Sequence, residues 1–294
     1  CFICLMCQTT YVFFIESTGT MASFDIIDCT SQSYKFLWAH REYVLRFSAP
    51  VIILKVLGFV TFVLLGMEED FLRQGLLLLP VYFLEGWIIA QLVLMALQLE
   101  HAPKKMPGVN DAQDRHPLLP MPEQVQRNVK ASAVIYTLGK LALAFIIGMT
   151  MQGQGLEETQ PPPPAGGTAF ILVLMIIAMV VWAFRFFWIY IPILFNKTPL
   201  QYLLRFKAFS SSFFLLGVWM LCFVPMALLM LLSTELMAAV LSIFSLQEDA
   251  TAFQIGLSVI QGTIDYLLAL VSSLAVGFGI FSVFNDENKT TPIW

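Results

Sequence analysis

The chain has 294 residues, of which 58% are hydrophobic and only 12% charged, with a mean hydropathy of +0.78. Soluble domains carry roughly 25% charged residues, so a soluble globular protein is excluded. The 16 basic and 20 acidic residues leave a net charge of -4, which offers no basic field to a polyanion and excludes nucleic acid as a partner.

Residues 1–20 precede Met21, which opens a polar start, Met21-Ala22-Ser23-Phe24-Asp25. The apolar stretch from Cys1 to Ile15 has no basic residue before it and no small-residue cleavage site, and it is too short to span a bilayer. We read 1–20 as upstream reading frame or a disordered extension. The alternative, that Cys1 is the lipid-bearing cysteine of a processed lipoprotein, would place the N-terminus outside, against the charge distribution below. Cys1, Cys4 and Cys7 have a metal-ligand spacing without a fourth ligand nearby, so neither metal nor other cofactor is expected. Cys29 and Cys222 stand far apart and are expected to be reduced or buried.

Crossing about 30 Å of hydrocarbon at 1.5 Å per residue takes about 20 apolar residues. Six runs qualify: 47–66, 75–98, 132–151, 168–195, 212–233 and 256–284. They predict an all-α, polytopic membrane protein. Basic residues are retained on the cytoplasmic side. Lys35, Arg41 and Arg46 precede the first run; Lys104, Lys105, Arg115, Arg127 and Lys130 lie between the second and third; Lys197, Arg205 and Lys207 between the fourth and fifth; Lys289 after the sixth. The opposite segments carry only Arg73. Twelve against one predicts cytoplasmic termini. The layout is then a cytoplasmic amphipathic segment 21–46, a six-helix domain 47–284 with a cytoplasmic linker 99–131, and a cytoplasmic tail 285–294.

The connectors differ in character. Pro103, Pro107, Pro117, Pro120 and Pro122 among mixed charges predict a solvated, irregular linker. Pro161-Pro162-Pro163-Pro164 followed by Gly166-Gly167 predicts a short extended spacer ending in a hinge, with a ligand for a proline-reading domain as the alternative. Leu236, Val240, Ile243 and Phe244 recur at helical spacing and predict a separate helix lying at the outer interface.

Two cytoplasmic stretches read as amphipathic elbows that turn the chain along the membrane surface. Thr198 can cap a helix that Pro199 enters at its first turn, with Gln201 returning the bond. Leu200, Leu203, Leu204 and Phe206 then face acyl chains while Gln201, Arg205 and Lys207 meet headgroups. From Tyr34 to Arg46 the same division sets Phe36, Leu37, Tyr43 and Val44 against Lys35, Glu42 and Arg46. The elbows also match each other: Tyr43-Val44-Leu45-Arg46-Phe47-Ser48-Ala49 against Tyr202-Leu203-Leu204-Arg205-Phe206-Lys207-Ala208. Each precedes a span whose successor carries an acid followed by an aromatic, Glu85 with Trp87 and Asp265 with Tyr266. A parallel internal repeat would produce this pattern, although Leu- and Phe-rich sequence matches itself easily.

Arg185 followed by Trp188 and Pro192, then Thr198-Pro199-Leu200, the Leu-Leu-Arg elbow through Arg205, Ser210-Ser211-Ser212 and Trp219 resembles the second half of YciC-like bacterial six-span proteins. It is similar as well to the membrane domain attached to some glycerophosphodiester phosphodiesterases. The likeness covers about residues 180–225. It implies a multi-pass module of the bacterial plasma (inner) membrane without a settled activity, and no phosphodiesterase catalytic domain accompanies it.

Five ionisable residues fall inside spans: Lys55, Glu85, Lys140, Arg185 and Asp265. A charge at mid-bilayer costs about 2.5–3.5 kcal/mol, so each is expected to face protein or water and to find a partner. Helical rise places Lys55 and Lys140 about 12 Å from the cytoplasmic side and Glu85 about 20 Å from it. Lys55 and Glu85 are therefore predicted to pair within the first hairpin. Asp265 is expected nearer the outer side, and Arg185 nearer the inner one, snorkelling to headgroups.

Two classes of function follow. In one, the chain is a non-enzymatic organising or accessory module acting through membrane lipids, with Arg46, Arg205 and Lys207 on headgroups, or through partner membrane proteins. In the other, it is a secondary transporter of a small solute or cation whose carboxylates line a central cavity. Pro80, Pro192 and Pro225 lie off the centre of their spans, which favours the first. No enzyme is expected: His40, His101 and His116 all lie in connectors, and no nucleophile elbow, zinc-protease motif or phosphate-cradling loop occurs.

Overall fold

The computed structural model describes residues 25–67, 70–101, 123–154, 167–243 and 251–290. The readings made on 1–20, on Cys1, Cys4 and Cys7, on the linker prolines and on the proline spacer lie outside them. Asp25 caps α1 (Ile26–Ala39), its carboxylate accepting from the backbone N–H groups of Ile27 and Asp28. His40 separates α1 from α2 (Arg41–Leu65), which ends at Gly66 with φ 63°, a left-handed cap that glycine takes without strain. Asp70 accepts from Arg73 N–H to start α3 (Phe71–Leu77), and α4 (Leu79–His101) follows directly.

Next come α5 (Glu123–Gln154) and α6 (Gly167–Ala183), which passes into a 3-10 turn over Phe184–Trp188. They are followed by α7 (Tyr190–Leu194), α8 (Pro199–Arg205), α9 (Phe209–Ile243) and α10 (Thr251–Thr290). Among the described residues every element is helical, and six helical stretches are long and apolar enough to cross a membrane.

The spans sit where the apolar runs place them, with four differences. The first starts at Arg41, so the amphipathic stretch 34–46 is split between α1 and the first turns of α2. The second is interrupted at Leu78 and the fourth over Phe184–Trp188. Each break comes just ahead of a proline, Pro80 and Pro192, which cannot donate to the carbonyl four residues back. The fifth does not hand over to a separate interfacial helix: α9 runs unbroken through 233–243. Nothing there breaks a helix, and the Ser233 and Thr234 hydroxyls satisfy themselves on the Leu229 and Met230 carbonyls. The linker also shortens, because α4 reaches His101 and α5 begins at Glu123.

Helix α10 is the hub. Its spanning window is 72% buried and that of α4 is 61%, against 17–22% for the other four, so these two form the centre and the rest surround them. Backbones come close where glycine permits: a Cβ on Gly262 of α10 would meet Val56 and Phe59 of α2, and one on Gly277 would meet Val93 of α4. The outer helices expose Leu, Ile, Met and Phe throughout, as α6 does at Met175, Met179 and Val180. Lipid tails are as apolar as these side chains, so this surface is at home in a bilayer.

α5 packs against α3, α4 and α7, whereas α9 packs against α1, α6 and α10. Between α5 and α9 a cleft remains, floored by α10.

Candidate functional site

Four of the five intramembrane charges meet at one place. Lys55 of α2 is fully buried, its Nζ 2.8 Å from Glu85 Oε2 on α4 and 2.5 Å from Asp265 Oδ2 on α10. Lys140 of α5 approaches the same carboxylates more loosely, 3.5 Å from Asp265 Oδ2 and 3.9 Å from Glu85 Oε1. The Tyr136 hydroxyl donates to Glu85 Oε1 at 2.5 Å. Two ammonium groups facing two carboxylates leave no net charge, the condition under which ions are tolerated in a low-dielectric interior.

The Lys55–Glu85 pair is thus present, but not as an isolated pair within the first hairpin. Asp265 is not set apart toward the outer side; α10 crosses the bundle centre and brings it onto Lys55.

The members differ in access. Lys55 and Glu85 have no exposed side-chain surface, while Lys140 is 21% and Asp265 40% exposed. The last two face the cleft, which widens into a cavity of about 360 Å³ on one side of them and about 740 Å³ on the other. Lys140 also stands over the rings of Tyr82 and Tyr136, at 6.0 and 5.9 Å.

Tyrosines hold this centre in register. The Tyr136 ring meets Tyr190 edge-on at 5.2 Å. Tyr190 shares a hydrogen bond with Ser273 of α10 at 2.7 Å, and its carbonyl accepts from Ser132 of α5 at 3.0 Å. Tyr266, adjacent to Asp265, donates to Ser48 of α2 at 2.6 Å. Charge counting along the chain passed over these residues. Their signal was the placement of phenols inside spans, where each hydroxyl must find a partner.

Arg185 belongs to a different arrangement. It does not snorkel: it is buried and donates to the Phe206 carbonyl at 2.8 Å, with its guanidinium 4.1 Å from the centre of the Trp182 ring. In return the Tyr202 hydroxyl donates to the Arg185 carbonyl at 3.0 Å. This reciprocal latch ties the broken fourth span to α8. Burial raises the Tyr202 hydroxyl pKa while the Arg185 charge opposes the rise.

The Thr198 capping box forms as the sequence predicts, with Gln201 N–H donating to Thr198 Oγ1 and Thr198 N–H to Gln201 Oε1. Leu200 and Leu204 face outward, but Phe206 does not enter the acyl region: with Tyr202 it is fully buried in the core. In the first elbow Phe36 and Val44 likewise turn inward. Tyr34 of α1 is half-buried, and burial pushes its hydroxyl up to about 12. Of the three headgroup residues, Arg205 lines a groove of about 380 Å³ with Lys197, Gln201 and Phe284; Arg46 and Lys207 are exposed and lie elsewhere. Lys197, which the sequence reading used only for orientation, stands 5.4 Å from the centre of the Phe284 ring in that groove. Both elbow copies place a tyrosine against a phenylalanine one turn on, but Tyr43 is exposed where Tyr202 is buried. Cys29 and Cys222 are both buried, and no disulfide joins them.

No known family model, curated protein or solved structure matches this chain. Its fold defines it as an all-α, multi-pass membrane protein with a neutral ion quartet at its centre.

Proposed function

We propose that the chain is a non-enzymatic module of a bacterial plasma membrane, with cytoplasmic termini, that binds membrane lipid in the cleft between α5 and α9. The observation that carries this reading is the cleft itself. Its walls are largely apolar, with Leu143, Phe223, Met226 and Leu268 among them, yet Lys140 and Asp265 stand in its base. An amphiphile needs both features, an apolar wall for its chains and fixed charges for its head. The groove of Lys197, Arg205 and Phe284 adds a second place suited to an acidic headgroup. The resemblance read from residues 180–225 to YciC-like proteins implies a bacterial multi-pass membrane module and no particular activity.

A vesicle-reconstituted protein exposed to a phospholipid carrying a photoreactive acyl chain tests the reading. Label is expected on peptides from α5 and α9 that line the cleft. Label spread evenly over the outer faces of α6 and α9 would defeat it. For the orientation, a reporter fused after Gly166 is expected outside.

Transport of a small cation is the second reading, favoured by the exposure of Asp265 to both cavities. It fits less well, because Lys55 and Lys140 already occupy the carboxylates a cation would need.

A further inference from the structure

The two cavities lie end to end. On α5 the smaller is lined between Ile135 and Leu143 and the larger between Lys140 and Ile147; on α9 the smaller uses Trp219 and the larger 223–235. On α10, which runs the other way, the order reverses: Asp265 to Ser273, then Leu257 to Leu268. All three helices place the cavities in the same sequence along the bundle axis, sharing Lys140, Leu143, Asp265 and Leu268 as a waist. From Trp219 to Glu235 the rise along α9 is about 24 Å, most of the roughly 30 Å hydrocarbon layer.

Polar side chains occur at both ends of the cleft: Tyr190, Ser272 and Trp188 in the smaller cavity, Gln261, Thr234 and Gln74 in the larger. Trp188 is 6% exposed, and its indole N–H meets no acceptor among the described residues. The rims are apolar and open: Phe186 and Phe187 on the small cavity, Phe223 and Leu231 on the large one, are all exposed on the outer surface. A cleft with fixed charges at its waist, polar side chains toward both ends and an open apolar rim lets a headgroup pass inside while its acyl chains stay in the bilayer.

Resting on the lipid-binding reading, we propose that this cleft is a route by which the head of a zwitterionic phospholipid crosses the membrane, with Lys140 and Asp265 as its midpoint station. The charges select the class. The Lys140–Asp265 contact is loose, at 3.5 Å, and each partner keeps another, Glu85 at 3.9 Å for Lys140 and Lys55 at 2.5 Å for Asp265. A phosphate on Lys140 and an ammonium on Asp265 replace that contact without changing the net charge of the quartet. An anionic head would leave an extra negative charge in low dielectric. No bond is made or broken, so the activity is equilibration between leaflets.

The test is full-length protein in vesicles of phosphatidylethanolamine with phosphatidylglycerol, carrying an acyl-labelled fluorescent phosphatidylethanolamine. Dithionite bleaches only the outer leaflet unless lipid crosses, and an entrapped soluble dye reports leakage. Inner-leaflet label is expected to be lost in protein vesicles and kept in protein-free ones. Leu143→Trp, which fills the waist and leaves the quartet intact, is expected to slow the loss about tenfold. Lys140→Gln should slow it as well, with thermal stability of both variants followed to show that they fold. Acyl-labelled phosphatidylglycerol is expected to cross more slowly; equal rates would overturn the assignment of Asp265 to the ammonium. Inner-leaflet label that persists as in protein-free vesicles overturns the route. If photolabel still maps to the cleft in that case, lipid binding stands and only the crossing falls; without cleft labelling, both fall.

Discussion

Lys55 on the first span and Asp265 on the sixth lie 2.5 Å apart, the closest approach in a quartet that also draws in the second and third spans. The contact closes the bundle, because it joins the opening helix of the membrane domain to its last one at the same depth as Glu85. Removing Lys55 would leave two carboxylates facing Lys140 alone.

Breaking a buried ion pair from one side is strongly destabilising, by about 3–5 kcal/mol, so Lys55→Met should lower the thermal stability in detergent sharply. Combining it with Glu85→Leu leaves Lys140 and Asp265, a neutral remainder, and should recover much of the loss. The same holds for Lys55→Met with Asp265→Leu, leaving Lys140 and Glu85. Both double-mutant cycles are therefore expected to give coupling. Strict additivity in either cycle would show that its two residues do not interact.

Two glycines beside the quartet should respond oppositely to alanine. A Cβ on Gly86 would come within 2.8–3.0 Å of the Tyr136 side chain and push it off Glu85. Overpacking of this kind costs about 1–3 kcal/mol. Gly139, on the same helix as Lys140, has nothing within 4 Å of such a Cβ, and alanine there should be neutral or stabilising by up to about 1 kcal/mol. Thermal unfolding of the two variants in one detergent decides the matter, and a Gly86→Ala protein as stable as wild type would refute the contact with Tyr136.

The latch between the fourth span and α8 can be opened one bond at a time. Tyr202→Phe removes the hydroxyl that donates to the Arg185 carbonyl, a hydrogen bond worth about 0.5–1.5 kcal/mol. Thr198→Ala removes the cap of the same short helix, at about 1 kcal/mol. Both should raise hydrogen exchange in α8 above that of α10. Unchanged exchange in α8 after either substitution would show that the bond does not hold the helix.

Apolar runs and proline rules made most of the fold legible in sequence, since hydrocarbon thickness sets span length whatever the tertiary packing. The capping box at Thr198 was readable for the same reason: it is local. Asp265 was not. Its depth was counted from the end of a run, while α10 extends well past both ends of that run, a span of 40 residues. Phe206 and Phe36 illustrate the other limit, because an amphipathic pattern reports an apolar face without saying whether lipid or protein covers it. The cleft between α5 and α9 was invisible from sequence, as it depends on which helices do not touch.

The basic groove at α8 gives the last expectation. Lys197 and Arg205 line it together with Phe284, whereas Arg46 and Lys207 are exposed elsewhere. A basic residue near an anionic surface contributes about 1 kcal/mol, and residues that share one groove can act on the same headgroup. Lys197→Gln with Arg205→Gln should therefore reduce the anionic lipid that remains bound after purification more than Arg46→Gln with Lys207→Gln, although each pair removes the same charge. Lipid analysis of the two double variants, purified side by side, makes the comparison. Equal losses would mean that only net charge matters and that the groove recognises nothing; a larger loss from Arg46 and Lys207 would place the headgroup contact on the exposed faces of α2 and of the turn after α8.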